Sequence, residues 1–186
     1  GNEIAHLYPG QSDGNGHSVG PAISLYVRPG DQVNMEAYVK YTGTASGNQG
    51  TDALAAALAS GFGYSAIYPE TNYIFDFFNE GLALFTGTRE ENANEPIISI
   101  SYLLFDENFG LIDYGWEQVG SGDQVGNGFE KLDGQVEVKD EGYMYIYVSN
   151  ESMGSVEAFF DDISVEHIES KVTQVADYYP FGMQIK

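Results

Sequence analysis

The sequence predicts an all-β chain: an antiparallel jelly-roll β-sandwich with a helix-containing insertion. Three observations lead there. Apolar residues recur at period two along several stretches, most clearly Val33, Met35, Ala37, Val39 and Tyr41. Gly-rich turns separate these stretches at regular spacing. The 186 residues, with 14 Tyr and 11 Phe, supply the apolar bulk for one sandwich-sized core. About eight strands in two sheets make a jelly roll.

Taken in order, Ile4 to Tyr8 reads as a short strand and residues 11–20 as a loop whose Asp13, Asn15 and Ser18 offer oxygens beside flexible glycines. The acidic spacing and closing Glu of an EF-hand are missing there. Ala22 to Val27 alternates as a strand. Arg28-Pro29-Gly30-Asp31 follows, with Pro and Gly at the two central positions a type II turn prefers. The stretch from Val33 to Tyr41 is a half-buried strand with Asn34, Glu36, Tyr38 and Lys40 on its other face.

Residues 42–96 break this rhythm. After a flexible lead-in, Thr51-Asp52 can cap a helix that stops at Gly61, and an irregular aromatic stretch follows. The region reads as an insertion packed over one sheet. Ile97 to Phe105, nearly all apolar, is a central strand. Asp106 to Gly110 is a hairpin loop, and the strand returning from Leu111 carries Trp116. Phe129 to Val138 is a further strand, with a turn at residues 139–142. Along Tyr143 to Val148, Met144, Ile146 and Val148 face one way and Tyr143, Tyr145 and Tyr147 the other. Residues 149–155 form a turn, within which Asn150-Glu151-Ser152 matches a glycosylation sequon that reads as incidental. Val156 to Val165 closes the sandwich. Strict alternation puts Phe159, Asp161, Ile163 and Val165 on its inward face, so Asp161 is expected to be buried and to need compensation. The sandwich is expected over 1–168 and a linker over 169–186.

The formal charge of −21, from 28 acids against 7 bases, argues against nucleic acid and against anionic membrane surfaces. No apolar run is long enough to span a bilayer. With no cysteine and three scattered histidines, disulfides, thiolate chemistry and cysteine-ligated zinc drop out. The first residue is Gly1, and the chain is expected to be a fragment of something longer.

The segment Tyr178-Tyr179-Pro180-Phe181-Gly182-Met183 resembles the DYYPFGM entry to the RHS-repeat-associated core of large Bacteroidetes RHS/YD-repeat proteins. VRPGDQVNMEAYVKY (27–41), ISYLLFDENFGLID (100–113), GYMYIYVSNES (142–152) and VEAFFDDISVEH (156–167) resemble, in the same order, the module before that core. The resemblance implies a non-catalytic domain of a very large secreted or cell-surface protein, next to its RHS-repeat region. The closing FDDISV also resembles the last strand of jelly-roll carbohydrate-binding modules of galactose-binding-like form. There, an Asp on that strand ligates a structural Ca²⁺ with oxygens near the N-terminus, and Asp161 is the matching position; Asp13 of the 11–20 loop, whose oxygens suit a cation, is the candidate partner.

The expected role is carbohydrate binding, with Tyr143, Tyr145, Tyr147 and Trp116 stacking on sugar rings and Glu36 among the polar contacts. A structural spacer or interaction domain with no glycan ligand is the alternative, in which the insertion covers the tyrosines. A glycoside hydrolase is the third reading; acids are so abundant that no particular carboxylate pair stands out.

Overall fold

The computed structural model describes residues 4–8, 18–48, 96–108, 110–120 and 128–170. Within them run β1 (Ala5–Leu7), β2 (Val19–Val27), β3 (Gln32–Thr42), β4 (Ala45–Asn48), β5 (Ile98–Phe105), β6 (Leu111–Gln118), β7 (Glu130–Glu137), β8 (Gly142–Asn150), β9 (Ser152–Gly154) and β10 (Glu157–Ile168). The first sheet has the order β1-β10-β3-β7 and the second β2-β8-β5-β6, while β4 pairs with β9 alongside. All pairings are antiparallel. With β4 and β9 set aside, each connection crosses from one sheet to the other except the β5–β6 hairpin. This is the jelly roll expected from the strand spacing. The helix over 51–61, the rest of the insertion to 95, the loop holding Asp13 and the segment from 171 onward lie outside the described residues.

Side-chain alternation explains the layers. Val33, Met35, Ala37 and Val39 of β3 are buried, and they meet Ile98, Ile100 and Leu104 of β5 and Met144, Ile146 and Val148 of β8 in one core. Strand β5 lies between β8 and β6 and is buried on both faces, which is why its sequence is an almost unbroken apolar run. Gly30 has φ 90°, as the third position of a type II turn requires, and the Asp31 N–H closes the turn on the Arg28 carbonyl at 3.0 Å. Two short strands were not visible in the pattern. The lead-in at 42–50 contains β4, and the turn at 149–155 contains β9.

Strand β10 departs from strict alternation. Asp161 pairs with Tyr38 and Ser164 with Glu36, so Asp162 and Ile163 together oppose Ala37. That extra residue is a β-bulge, and Asp162 has φ 46°, in the left-handed region. The bulge reverses the parity of the strand. Ala158 and Phe160 face the core before it, and Ile163 and Val165 pack on the core after it. Phe159 instead stacks on the His6 ring of β1, with centroids 4.5 Å apart. Asp161 is on the outer face, half-exposed, and accepts the Asp162 N–H at 2.9 Å. The expected inward carboxylate is therefore corrected: a left-handed kink lets both apolar halves of the strand face inward without it. Glycine adopts this conformation without the steric cost of a Cβ. Asp162→Gly is expected to stabilise the fold by about 0.5–1 kcal/mol, and Asp162→Val to destabilise it by about 1–2 kcal/mol. Urea unfolding of the two variants checks this. A valine variant as stable as the parent would contradict the bulge.

One buried acid, at the β2–β3 turn, is Asp31. Its carboxylate accepts the backbone N–H of Ser170 at 2.7 Å and of Arg28 at 3.0 Å, and lies 2.9 Å from His167 Nε2. It thus fastens the β2–β3 turn to the end of β10. Burial pushes this carboxyl upward, but the Ser170 N–H, His167 and the Arg28 N–H outweigh it and hold the pKa at about 2, against an ordinary 3.8. Because the folded value lies below the unfolded one, the stabilisation is present above about pH 4 and is lost as pH falls toward 2. The group lies close beneath the surface, and solvent screening keeps this contribution to about 1 kcal/mol. Stability measured between pH 5 and pH 2.5 is expected to fall by about that much less in Asp31→Asn than in the parent. Parallel curves would contradict the clasp.

Candidate functional site

The outer face of the second sheet concentrates aromatic side chains, and strand register arranges them in rows. Tyr26, Tyr143, Phe105 and Leu111 form one row across β2, β8, β5 and β6. The next holds Ser24, Tyr145, Leu103 and Tyr114, and the third Ala22, Tyr147, Ser101 and Trp116. A fourth brings Ser149, Ser99 and Gln118 together. Aromatic and β-branched side chains suit a pleated surface, and their cross-strand contacts fix this face rigidly.

The tyrosine row of β8 changes character along its length. Tyr143 is 47% exposed, Tyr145 8% and Tyr147 1%. The Tyr145 and Tyr147 rings stack with centroids 5.6 Å apart and belong to a buried cluster with Leu103 and Phe105. Burial raises the Tyr145 pKa. The row is therefore not an open platform along its whole length. At its open end, Tyr26 and Tyr143 meet edge-to-face at 5.2 Å. The Arg28 guanidinium lies 5.5 Å from the Tyr26 ring centre. Tyr26 donates its hydroxyl to Glu141, and that bond raises its pKa.

On β6, Tyr114 and Trp116 are half-exposed. Their rings lie within 4° of parallel, with centroids 6.4 Å apart. Behind them the sheet is polar. Ser99 Oγ lies 3.1 Å from Ser101 Oγ and 3.3 Å from Ser149 Oγ, and Ser149 donates to Glu151 at 2.9 Å, all in buried positions. The parallel, half-exposed aromatic pair offers a stacking surface for a ligand with apolar ring faces, while the hydroxyl-and-carboxylate ladder is buried and bonded within the sheet. Gly115, between the two rings in sequence, opens space on the opposite face. A Cβ there would come within 2.6 Å of the Tyr102 ring, whose hydroxyl donates to Asp113 at 3.1 Å. Burial, and then Asp113, raise the Tyr102 pKa.

Glu36 is not part of this face. It lies on β3 in the first sheet, with Asn34 and Lys40, on the opposite side of the sandwich from the tyrosines. The expected grouping of Glu36 with the tyrosine row is therefore corrected: alternation assigns a face, not a sheet. Trp116 and Tyr147, far apart in sequence, do share the aromatic face through Ser101 between them. Tyr26 and Glu141 were missed, although Tyr26 is the last aromatic before the Pro-Gly turn and so falls at a sheet end. Asp161, on the outer face of the first sheet, lacks the burial that called for a cation, and Asp13 lies outside the described residues. Among the described residues no group of three or more His, Asp and Glu side chains could hold a metal ion, and no helix is long and apolar enough to cross a membrane.

No family model matches the chain, and no curated protein does. Three solved chains match its structure. One comprises the CBM22-1–GH10 modules of the Clostridium thermocellum N-terminal endo-1,4-β-D-xylanase 10B complexed with xylohexaose. It is 10% identical, with a TM-score of 0.37 over 89% of this chain, which spans 25% of that one. Another is the CBM22-1 xylan-binding domain of Paenibacillus barcinonensis Xyn10C, 12% identical, with a TM-score of 0.37 over 92% of this chain and 86% of that one.

Proposed function

We propose that this domain is a non-catalytic carbohydrate-binding module whose ligand lies against the outer face of the second sheet. Trp116 and Tyr114 provide the stacking surface, and Tyr143 with Tyr26 extends it at the open end. The observation that carries this reading is the half-exposed, parallel Tyr114–Trp116 pair on a strand held rigidly by β5. Neutral polysaccharide is the ligand class, because the acidic surface repels polyanions. In keeping with the sequence resemblance, the module is an accessory domain of a large secreted or cell-surface RHS-type protein and sits beside its repeat region.

Affinity gel electrophoresis against a broad set of neutral polysaccharides tests the role. Specific retardation is expected with at least one of them, reduced about tenfold or more by Trp116→Ala. The burial of Tyr145 and Tyr147 favours a second reading, a structural spacer with no glycan ligand. Equal mobility in every gel supports that reading and contradicts the first.

A further inference from the structure

Strand β1 is too short to close its side of the sandwich. Its three residues pair with Ala158 to Phe160 of β10. Leu7 reaches only the start of β2, where a Cβ on Gly20 would come within 3.1 Å of its side chain. Beyond that, β10 runs on to Ile168 with β3 along one edge. Among the described residues no strand pairs with its other edge after Phe160. From Ser164 to Ile168, alternate backbone N–H and C=O groups therefore point outward from the sheet. The core is open along the same side. Ile163 and Val165 of β10 and Leu25 of β2 pack on it and stay half-exposed. Ile23 pairs with the buried Ile146, which puts it on the inner face of the second sheet, yet it is 44% exposed. An unpaired strand edge beside apolar side chains from both sheets supplies the two things strand addition uses: backbone partners, and pockets for alternate side chains.

Charge and composition select the occupant. The β1–β2 connection, residues 9–17, carries none of Val, Leu, Ile, Met, Phe, Tyr or Trp, so it has no such side chain to insert. Asp162 and Glu166 are exposed along this edge, in a chain with 28 acids against 7 bases. A second copy laid antiparallel on β10 would bring like charges together across the strands, and a basic strand brings opposite ones. We propose that β10 binds an extended basic peptide by strand addition, in line with β1. The peptide's apolar side chains, at alternate positions, enter between Ile163 and Val165 of one sheet and Ile23 and Leu25 of the other. Its Lys or Arg side chains lie on the outer side beside Glu166 and Asp162. The bulge at Asp162 interrupts the pairing register and confines the addition to Ser164–Ile168.

Fluorescence anisotropy at about 150 mM salt, where diffuse attraction to the acidic surface is largely screened, provides the test. The probes are end-capped, labelled peptides: alternating Lys-Val-Lys-Val-Lys-Val-Lys, the grouped Lys-Lys-Val-Val-Val-Lys-Lys of equal charge and composition, and the alternating sequence with Glu in place of Lys. The alternating basic peptide is expected to bind, about tenfold or more tighter than either other probe. Ile23→Lys, which puts a charge into the opening at an already exposed position, is expected to weaken it about tenfold. Circular dichroism shows that this variant keeps the fold. Hydrogen exchange reads the backbone directly, and amides within Ser164–Ile168 are expected to slow about tenfold or more when the peptide is bound. No binding of the alternating peptide, equal binding of the grouped one, unchanged affinity in Ile23→Lys or unchanged exchange in Ser164–Ile168 would overturn the proposal. So would a dimer in sedimentation that Ile23→Lys abolishes, since a second copy would then occupy the edge.

Discussion

Phe160→Ala is expected to lower the unfolding free energy by about 3–5 kcal/mol, the largest effect of any single substitution considered for this chain. Phe160 is wholly buried and sits opposite Val39 at the centre of the first sheet's inner face. Removing the ring forfeits its burial and leaves a cavity that rigid strands on both sides cannot close. Phe159→Ala is the control. That ring lies on the outer face against His6, and its loss is expected to cost about 1 kcal/mol or less. Urea unfolding separates the two variants. If they lose equal stability, or if Phe159→Ala loses more, the strand follows unbroken alternation and the bulge is refuted.

The second large effect is expected at Asn150. This side chain is fully buried where β8 gives way to β9, and it ties three segments together. Its Nδ2 donates to the Val156 carbonyl at 3.0 Å and to the Leu7 carbonyl at 3.3 Å, and its Oδ1 accepts the Ser152 N–H at 3.3 Å. Asn150→Leu would leave two buried carbonyls and an amide without these partners, at a cost of about 3 kcal/mol. The burial also bears on the sequon that Asn150 begins, since the amide nitrogen is enclosed in the folded chain and turned toward backbone carbonyls. Thermal unfolding of Asn150→Leu measures the loss. An unchanged midpoint would show that the three segments are held by something else.

These two residues also illustrate what the sequence discloses. Strand β3 was legible because its two faces differ cleanly, and the β2–β3 turn because Pro29 and Gly30 have conformational preferences that override their surroundings. Strand β10 was misread because one phase was imposed on all ten residues of Val156 to Val165. A reading that breaks at Asp161-Asp162 buries Phe160, Ile163 and Val165 and leaves every acid outside, and an Asp pair, tolerant of left-handed backbone, is the local signal for such a break. Asn150 stood out only as part of a sequon. Its three-way clasp depends on β1 and β10 arriving at β8 from more than a hundred residues away and from just downstream, which no local pattern records. The same holds for the site. Alternation separated Tyr145 from Met144 correctly, but it could not tell that Glu36 belongs to the other sheet, because sheet membership is set by long-range pairing. Trp116 was visible on the strand returning from Leu111, while its parallel geometry with Tyr114 and the serine ladder behind the pair exist only once β5, β6 and β8 are paired.

Trp116 is the only tryptophan in the chain, so its fluorescence reports on the proposed ligand face without interference from another indole. Titrating the protein with a neutral polysaccharide that retards it in affinity gels is expected to change Trp116 emission saturably, with the same midpoint as the binding curve. Retardation with an unchanged spectrum would place the ligand elsewhere and contradict the assignment of this face.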